Sequence, residues 1–209
     1  GIVDDRMERI PLNIVNHRSV IAHIVAVIRR GGIVVFPTET AYGLCADATN
    51  ERAVRRVIQM KGRSDAKGLS VFVTSKAMMK RYALITYTAN RLWDVFLPGP
   101  LTIVVPQRSS YANTIASNIP MNKSIGIRVS THPLVQTIVR RLGRPLTATS
   151  ANISGEETLY DADQVVNSFR NQNIKPDVVI DAGILPKHKT STVVDCSNAQ
   201  SVRILRKGA

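Results

Sequence analysis

The sequence is poor in cysteine, aromatic and acidic residues, and each shortage excludes a class of protein. Its 209 residues include two cysteines, Cys45 and Cys196, whose spacing matches no disulfide framework, zinc motif or haem motif and suits a reducing compartment. Aromatic residues make up 5% of the chain, which argues against a stacking platform for single-stranded nucleic acid. Because no run of about 18 apolar residues occurs, the sequence predicts no transmembrane helix and no membrane partner.

Several catalytic motifs are also missing. The chain contains neither of the phosphate-binding patterns GxxxxGK[ST] and GxGxxG, and it lacks GxSxG and HExxH. Its four histidines, at positions 17, 23, 132 and 188, show no metal-ligand spacing, so the sequence predicts no protein metal site. If the protein is an enzyme, we expect it to act by binding and electrostatic stabilisation rather than through a covalent nucleophile.

Positive charge is what the sequence has in excess. Lysine and arginine number 28 against 15 acidic residues, which gives a net charge of +13. Such a balance favours nucleic acid, nucleotide phosphates or an acidic membrane surface as a partner, although a merely soluble basic surface explains it as well. The first residues contain no apolar signal-peptide segment, so we expect a cytoplasmic protein. The basic composition would also suit a mitochondrion.

Helical and strand patterns alternate along the chain and predict one α/β domain with a mixed sheet. This domain is expected over 18–208, after an N-terminal segment at 1–17 whose first ten residues form a tail or an edge strand. The predicted helices cover 20–28, 51–60, 76–83, 89–96, 134–142 and a segment starting near 161. The predicted strands cover 33–36, 69–73, 101–105, 125–129, 146–148, 178–181, 192–195 and 202–205.

Two polar segments in the first half of the chain could bind a ligand. Residues 37–43, PTETAYG, directly follow a predicted strand, where open α/β sheets bind ligands, but they could equally be an ordinary turn. Residues 61–63, KGR, with Lys67 nearby, could converge on a phosphate, Arg63 supplying a planar fork. The alternative is a solvated turn whose cations answer the dipole of the preceding helix.

Polar chemistry also follows strands in the second half of the chain. The small residues of TATSANISG at 147–155 favour a nest of backbone amides for an anion. Arg128 lies within a predicted central strand and therefore needs an anionic partner, which makes carboxylate binding plausible. Ser191 starts a strand, and Arg206 lies in another, where an arginine facing a cleft usually has an anionic partner.

Taken in order, these segments resemble the YrdC/TsaC family of threonylcarbamoyl-AMP synthases. The matching stretches are PTETAYGL at 37–44, KGR at 61–63, LPGPLT at 97–102, GIRV at 126–129, TSANISG at 149–155, STVVD at 191–195 and ILRKG at 204–208. The resemblance implies a single YrdC-like domain, with a twisted mixed β-sheet and flanking helices around a basic concave cavity.

The resemblance also implies an activity and its residues. The reaction would condense L-threonine, bicarbonate and ATP to threonylcarbamoyl-AMP and pyrophosphate, with Mg²⁺ bound mainly through the phosphates, and a separate transferase would use the product to modify tRNA. The implied catalytic residues are Lys61, Arg63, Ser150 and Asn152. The implied ATP-binding residues are Arg63, Lys67, Ser124, Ser150, Asn152 and Arg206. The implied threonine-binding residues are Thr40, Phe72, Arg128, Ser150 and Ser191.

The chain departs from the usual family pattern at a few positions, and two other functions stay open. The departures are Ser64, Lys67, Phe72, Ser130 and Thr149, of which Phe72 stands where a histidine is common and Ser130 where a proline is. One alternative function is a binding module for double-stranded RNA or tRNA, which the net charge favours. The other is a carbamoyl-AMP-forming domain like that of HypF proteins, which belong to much longer, cysteine-rich chains.

Overall fold

A computed structural model describes residues 7–62, 69–108 and 124–209. The predictions that concern Arg63, Ser64 and Lys67 lie outside these residues. Within the described ranges, no helix is long and apolar enough to cross a membrane.

In the part of the chain that the structure describes, ten strands form one mixed sheet, as the alternating sequence pattern predicts. The strands are β1 Glu8–Pro11, β2 Val34–Pro37, β3 Tyr42–Cys45, β4 Ser70–Phe72, β5 Leu101–Pro106, β6 Ser124–Arg128, β7 Leu146–Ser150, β8 Val178–Asp181, β9 Thr192–Asp195 and β10 Arg203–Arg206. Their order across the sheet is β1-β8-β2-β3-β7-β4-β6-β5-β9-β10. Four of the pairs are parallel: β1 with β8, β2 with β8, β4 with β6, and β5 with β9.

Six helices flank the sheet in the described residues, each where the sequence predicts a helix. They are α1 His17–Arg29, α2 Glu51–Lys61, α3 Lys76–Tyr82, α4 Tyr87–Phe96, α5 Pro133–Leu142 and α6 Ala162–Arg170. Helix α5 shows why the ends were predictable: proline occupies its first turn, and Gly143, at φ 71°, follows its last residue in the left-handed region.

The structure differs from the sequence prediction at the end of the PTETAYG segment and just after it. Residues 42–45, which the sequence analysis left within or beyond a turn, form strand β3, which pairs antiparallel with β2 to make a hairpin. Strand β3 carries a weak strand signal, because its four buried residues show no alternation of polar and apolar positions and include a glycine. The first residues were left as a tail or an edge strand, and residues 8–11 are an edge strand that pairs parallel with β8.

The hydrophobic core fills both sides of the central strands. Ile24 and Ile28 of α1, Val35 of β2, and Ile138 of α5 are fully buried. Each such side chain contributes about 1.5–3 kcal/mol relative to an exposed one. This packing makes the sheet a rigid platform, and the polar ends of its central strands build the site described next.

Candidate active site

A cavity of about 210 Å³ is lined by residues of the strands β3 to β7 and β9, of the edge strand β10, and of the loops beside them. Most of the residues around it carry a hydroxyl group. The hydroxyl-bearing lining residues are Thr38, Thr40, Tyr42, Ser70, Thr102, Thr149, Ser150, Thr158, Tyr160, Thr190 and Ser191. The charged lining residues, among those the structure describes, are Arg128 and Arg206. A hydroxyl-rich wall with two guanidinium groups is suited to a polar, anionic ligand.

Gly126 makes room for part of this wall. A Cβ atom added to Gly126 would lie 2.5 Å from Ser70 Oγ and 3.0 Å from Thr102 Cγ2. Real side chains do not approach so closely, so the glycine in the middle of β6 leaves room for the Ser70 hydroxyl and the Thr102 methyl group of the neighbouring strands. The glycine of the GIRV motif is therefore needed for packing, whereas its arginine, Arg128, brings a charged group to the cavity.

Arg128, at the end of β6, forms an ion pair inside the protein. Its Nη2 donates to Glu39 Oε1 at 2.9 Å, and the two side chains are only 11% and 14% exposed. The second oxygen of Glu39 accepts a short hydrogen bond from Ser130 Oγ. The sequence analysis expected an anionic partner for Arg128, and the structure supplies one from the chain itself. Glu39 belongs to the PTETAYGL motif but was not assigned a role.

The guanidinium of Arg128 also stacks on an aromatic ring. Its central carbon lies 5.0 Å from the centroid of the Phe72 ring, within the range of a cation–π contact. Phe72 and Arg128 are partners in the register of the parallel strands β4 and β6, which places them side by side. Burial lowers the pKa of Arg128, while Glu39 opposes that shift and the positive charge of Arg206 adds to it.

One donor of Arg128 has no acceptor among the described residues. The Nε atom is buried and without a hydrogen-bond partner. A buried donor left unsatisfied costs about 1–3 kcal/mol, and more when it is charged.

Arg206 borders the same cavity but has different partners. Its Nε and Nη2 donate to the Ser191 carbonyl at 3.1 and 2.9 Å, and Nη2 also donates to Ser191 Oγ at 3.1 Å. Ser191 Oγ in turn lies 2.8 Å from Thr102 Oγ1. All of these partners are neutral, and burial lowers the pKa of Arg206. The cationic charge of Arg206 is therefore not balanced by any described carboxylate in contact with it.

The side chain of Lys61 holds residues 149–152, which we call the TSAN turn, from the side away from the cavity. It is the last residue of α2, its side chain is buried, and its Nζ donates to the Ser150 carbonyl at 2.7 Å and to Asn152 Oδ1 at 3.2 Å. Asn152 Oδ1 also accepts a short hydrogen bond from Ser150 Oγ. The amide of Asn152 donates to the Glu156 carbonyl at 2.9 Å, which closes the turn. The solvated turn considered for the start of the KGR motif is therefore wrong for Lys61.

The structure brings most of the predicted site residues together. Those that line the cavity are Thr40, Phe72, Arg128, Ser150, Ser191 and Arg206. Lys61 and Asn152 contact Ser150 from the protein side. Ser124 does not line the cavity, because it begins β6 whereas Arg128 ends it. Since Arg63 and Lys67 lie outside the described residues, the strongly basic character expected for the cavity stays a prediction.

Comparison with known proteins identifies the class that this mixed α/β fold and polar cavity define. The sequence model of the Sua5/YciO/YrdC family, described as "Telomere recombination", matches residues 26–208. The chain therefore belongs to the Sua5/YciO/YrdC family.

Three relatives show how far the similarity extends. A protein of Methanocaldococcus jannaschii is 35% identical over 92% of this chain and 88% of its own length. The threonylcarbamoyl-AMP synthase of Vibrio vulnificus is 33% identical over 91% of this chain and 99% of its own. P. abyssi Sua5, solved in complex with L-threonine, superposes with a TM-score of 0.83 at 30% identity. That match covers 97% of this chain, which spans 57% of the Sua5 chain.

Proposed function

We propose that the protein is an L-threonylcarbamoyladenylate synthase, which joins L-threonine, bicarbonate and ATP to give threonylcarbamoyl-AMP and pyrophosphate. Family membership and the names of the relatives support this function. The main supporting observation is that one cavity is lined by many hydroxyl groups and by two arginines, Arg128 and Arg206, whose surroundings differ. One guanidinium suits a small carboxylate and the other suits a polyphosphate.

The threonine end of the proposed site is built around Arg128. A planar guanidinium can hold a carboxylate in a bidentate fork, and Arg128 has a buried Nε donor with no described acceptor. Thr40 and Ser191 line the same cavity and could hydrogen-bond the hydroxyl group of threonine. A site that pairs a substrate hydroxyl rejects the analogue lacking it, so we expect valine to be a poor substrate.

The nucleotide end is built from Arg206 and the TSAN turn. The partners of Arg206 among the described residues are neutral, so its charge is available to a phosphate. Ser150 borders the cavity, held from behind by Asn152 and Lys61. We expect Arg63 and Lys67 to add charge to this end. Within the described residues, no cluster of three or more potential metal ligands occurs, so we expect Mg²⁺ to arrive on the triphosphate as part of the substrate.

The chemistry then needs no covalent intermediate with the protein. The amine of threonine combines with bicarbonate to give a carbamate and water. A carbamate oxygen attacks the α-phosphorus, the bond to the β-phosphate oxygen breaks, and pyrophosphate leaves with that electron pair. Arginine side chains aimed at the phosphates stabilise the charge that develops in this step. The product would pass to a separate transferase that modifies tRNA.

The direct test is pyrophosphate release by the full chain, measured with each substrate omitted in turn. We expect release only when threonine, bicarbonate and ATP are all present. Release that requires carbamoyl phosphate in place of threonine and bicarbonate would instead identify the carbamoyl-AMP-forming alternative. A folded protein that releases pyrophosphate under neither condition would contradict both enzymatic functions.

A second candidate function, binding of duplex RNA or tRNA, is favoured by a cluster of arginines at one end of the molecule. Helices α1 and α5 end side by side, because Arg29 Nη2 donates to the Arg141 carbonyl at 2.7 Å. We call Arg29, Arg30, Arg140, Arg141 and Arg144 the arginine end. All five are exposed, and the acidic partner found among the described residues is Asp47, which pairs with Arg144 at 2.9 Å. Arginines without carboxylate partners are suited to backbone phosphates.

Salt dependence tests this second function. We expect Arg30→Gln/Arg140→Gln/Arg141→Gln to lower tRNA affinity and to reduce the slope of log affinity against log salt by about 2 to 3. The matched control removes three exposed arginines elsewhere, at positions 18, 91 and 170, and should leave the slope unchanged. Equal losses in both variants would show that net charge alone attracts RNA.

A further inference from the structure

We propose that Glu39 is a positioning residue for the amino-acid substrate, which fixes the guanidinium of Arg128 in the orientation that receives a carboxylate. This inference rests on the proposed function and deepens it. The Glu39 carboxylate is not required by the reaction itself. Glu39 donates no proton and holds no phosphate in the scheme above, yet it sits at the wall of the cavity in contact with Arg128.

Both oxygens of Glu39 are engaged, which restricts the carboxylate to one orientation. Oε1 accepts from Arg128 Nη2 at 2.9 Å, and Oε2 accepts from Ser130 Oγ. The guanidinium is limited on its face as well, by the Phe72 ring at 5.0 Å. An arginine held at its edge by a carboxylate and at its face by a ring cannot rotate freely, so the orientation of its remaining donors is set before the substrate arrives.

The backbone that carries Glu39 is itself rigid. Thr38 Oγ1 accepts from the backbone N–H groups of Thr40 and Ala41, both at 3.2 Å, and donates to the Ala41 carbonyl at 2.6 Å. These bonds close the turn between β2 and β3 around Glu39. The hydroxyl and carboxylate pattern of the PTETAYGL motif therefore acts as a unit: Thr38 fixes the turn, and Glu39 reaches from it to Arg128.

The partner on the other side is equally well anchored. Ser130 is 1% exposed, and its Oγ accepts from the backbone N–H of His132 at 3.0 Å at the start of α5. Its carbonyl accepts from Gln136 Nε2 at 2.5 Å. Of the positions at which this chain departs from the usual family pattern, Phe72 thus contacts the Arg128 guanidinium directly, and Ser130 acts on it through Glu39. Each contributes a contact that the more common histidine or proline would not make in the same way.

Two other roles for Glu39 predict different results. If Glu39 only neutralised a buried charge, its loss would lower stability without separating the two substrates. If it competed with the substrate carboxylate for Arg128, its loss would improve threonine binding. A positioning role predicts weaker threonine binding, little change for ATP and a more mobile guanidinium.

The kinetic experiment compares Glu39→Gln and Ser130→Ala with the wild type. Asp47→Asn serves as the control, because Asp47 is a buried carboxylate paired with an arginine outside the cavity. We expect Glu39→Gln to raise the KM for threonine about tenfold, as loss of a charge-assisted contact does, and Ser130→Ala to raise it less. The KM for ATP should stay within about twofold in all three variants. A lower KM for threonine in Glu39→Gln, or equal changes for both substrates, would overturn the proposal.

A spectroscopic measurement separates failure of this proposal from failure of the proposed function. The Nε–H signal of Arg128, identified in arginine-labelled protein by its loss in Arg128→Lys, reports side-chain motion without any substrate. We expect an ordered signal in the wild type and in Asp47→Asn, and a more mobile one in Glu39→Gln. An unchanged signal in Glu39→Gln would refute the positioning role whether or not the protein turns over threonine. An ordered wild type that loses order in Glu39→Gln but shows no threonine-dependent turnover would refute the synthase function alone.

Discussion

The two arginines of the cavity differ in almost every respect except their charge. Arg128 lies in a central strand, is nearly buried, pairs with Glu39 and stacks on Phe72. Arg206 lies in β10, an edge strand of the sheet, and its hydrogen bonds within the described residues go to the backbone and hydroxyl oxygens of Ser191. One guanidinium is compensated and fixed, whereas the other is uncompensated and held by neutral groups.

This difference suggests a division of labour between the two ends of the cavity. A compensated arginine adds little net charge but offers donors in a set geometry, which suits a small carboxylate that must be placed accurately. An uncompensated arginine contributes a strong field with less geometric demand, which suits the phosphates of a nucleotide. Substitutions at either arginine, or at the groups that hold the site, should therefore affect one substrate more than the other.

The largest effect is expected from Arg128→Lys. An ammonium group cannot reproduce the fork or the stacking on Phe72, so the KM for threonine should rise about 100-fold while the KM for ATP changes little. Steady-state pyrophosphate release at saturating ATP measures this loss. Arg144→Lys, which alters another arginine–carboxylate pair, is the control and should behave like the wild type. A variant that loses only ATP affinity would reverse the assignment.

Arg206→Gln should have the opposite selectivity and a smaller effect. The glutamine amide can still donate to Ser191, but it brings no charge to a phosphate, so we expect the KM for ATP to rise about tenfold. Arg203→Gln removes a charge from the same strand at a side chain that is 76% exposed, and it controls for the general field. Equal increases in the two variants would mean that Arg206 acts only through net charge.

Asn152→Ala tests the structural support of the nucleotide end. The substitution takes one acceptor from the buried ammonium of Lys61, which should lower the free energy of unfolding by about 1.5–3 kcal/mol. Asn90→Ala is a matched control, because Asn90 Oδ1 also accepts from a lysine, Lys76, at 2.7 Å but in a less buried setting. Urea denaturation of both variants compares them. A loss no larger in Asn152→Ala than in Asn90→Ala would show that the buried contact adds nothing special.

The smallest effect concerns pH and His132, whose Nδ1 accepts from the Leu134 N–H at the start of α5. Burial lowers the pKa of His132 below its ordinary value of about 6.5, although Glu39 opposes the shift. The unfolded chain therefore binds a proton at His132 more readily than the folded protein does. The contribution of His132 to the free energy of unfolding is complete above about pH 6.5 and is lost as the pH falls below that value. His132→Asn keeps a capping residue without a titrating group. Its unfolding free energy should fall less than that of the wild type between about pH 7 and pH 5, as followed by denaturation at several pH values.

Much of the fold follows from local sequence patterns. The apolar run at 33–36 and the stripe of α1 predicted a strand and a helix that the structure confirms, because burial of a whole strand or of one helix face leaves a direct mark on residue type. Strand β3 left a weaker mark although its residues are also buried, since it is only four residues long and directly follows a turn motif. The glycine at position 43 also weakened the strand signal, although it lies within a regular hairpin.

Pairing across long sequence distances could not be read from the chain. The strand position of Arg128 predicted that it needed an anion, but nothing local indicated that Glu39, 89 residues earlier, would provide it. The same holds for Lys61 and Asn152, which are 91 residues apart and meet only because α2 ends behind β7. Residue type predicted the chemistry of the site, and the sheet order determined which groups meet.

The central claim is that this cavity joins threonine and bicarbonate to AMP, and labelled bicarbonate tests it most directly. The wild-type chain, given ¹⁴C-bicarbonate, threonine and ATP, should form a labelled product that contains threonine and AMP in equal amounts. Formation should fall sharply in Arg128→Lys and be restored in part by high threonine, whereas in Arg206→Gln it should be restored by high ATP. Pyrophosphate release without incorporation of label, or a labelled product that lacks threonine, would contradict the account.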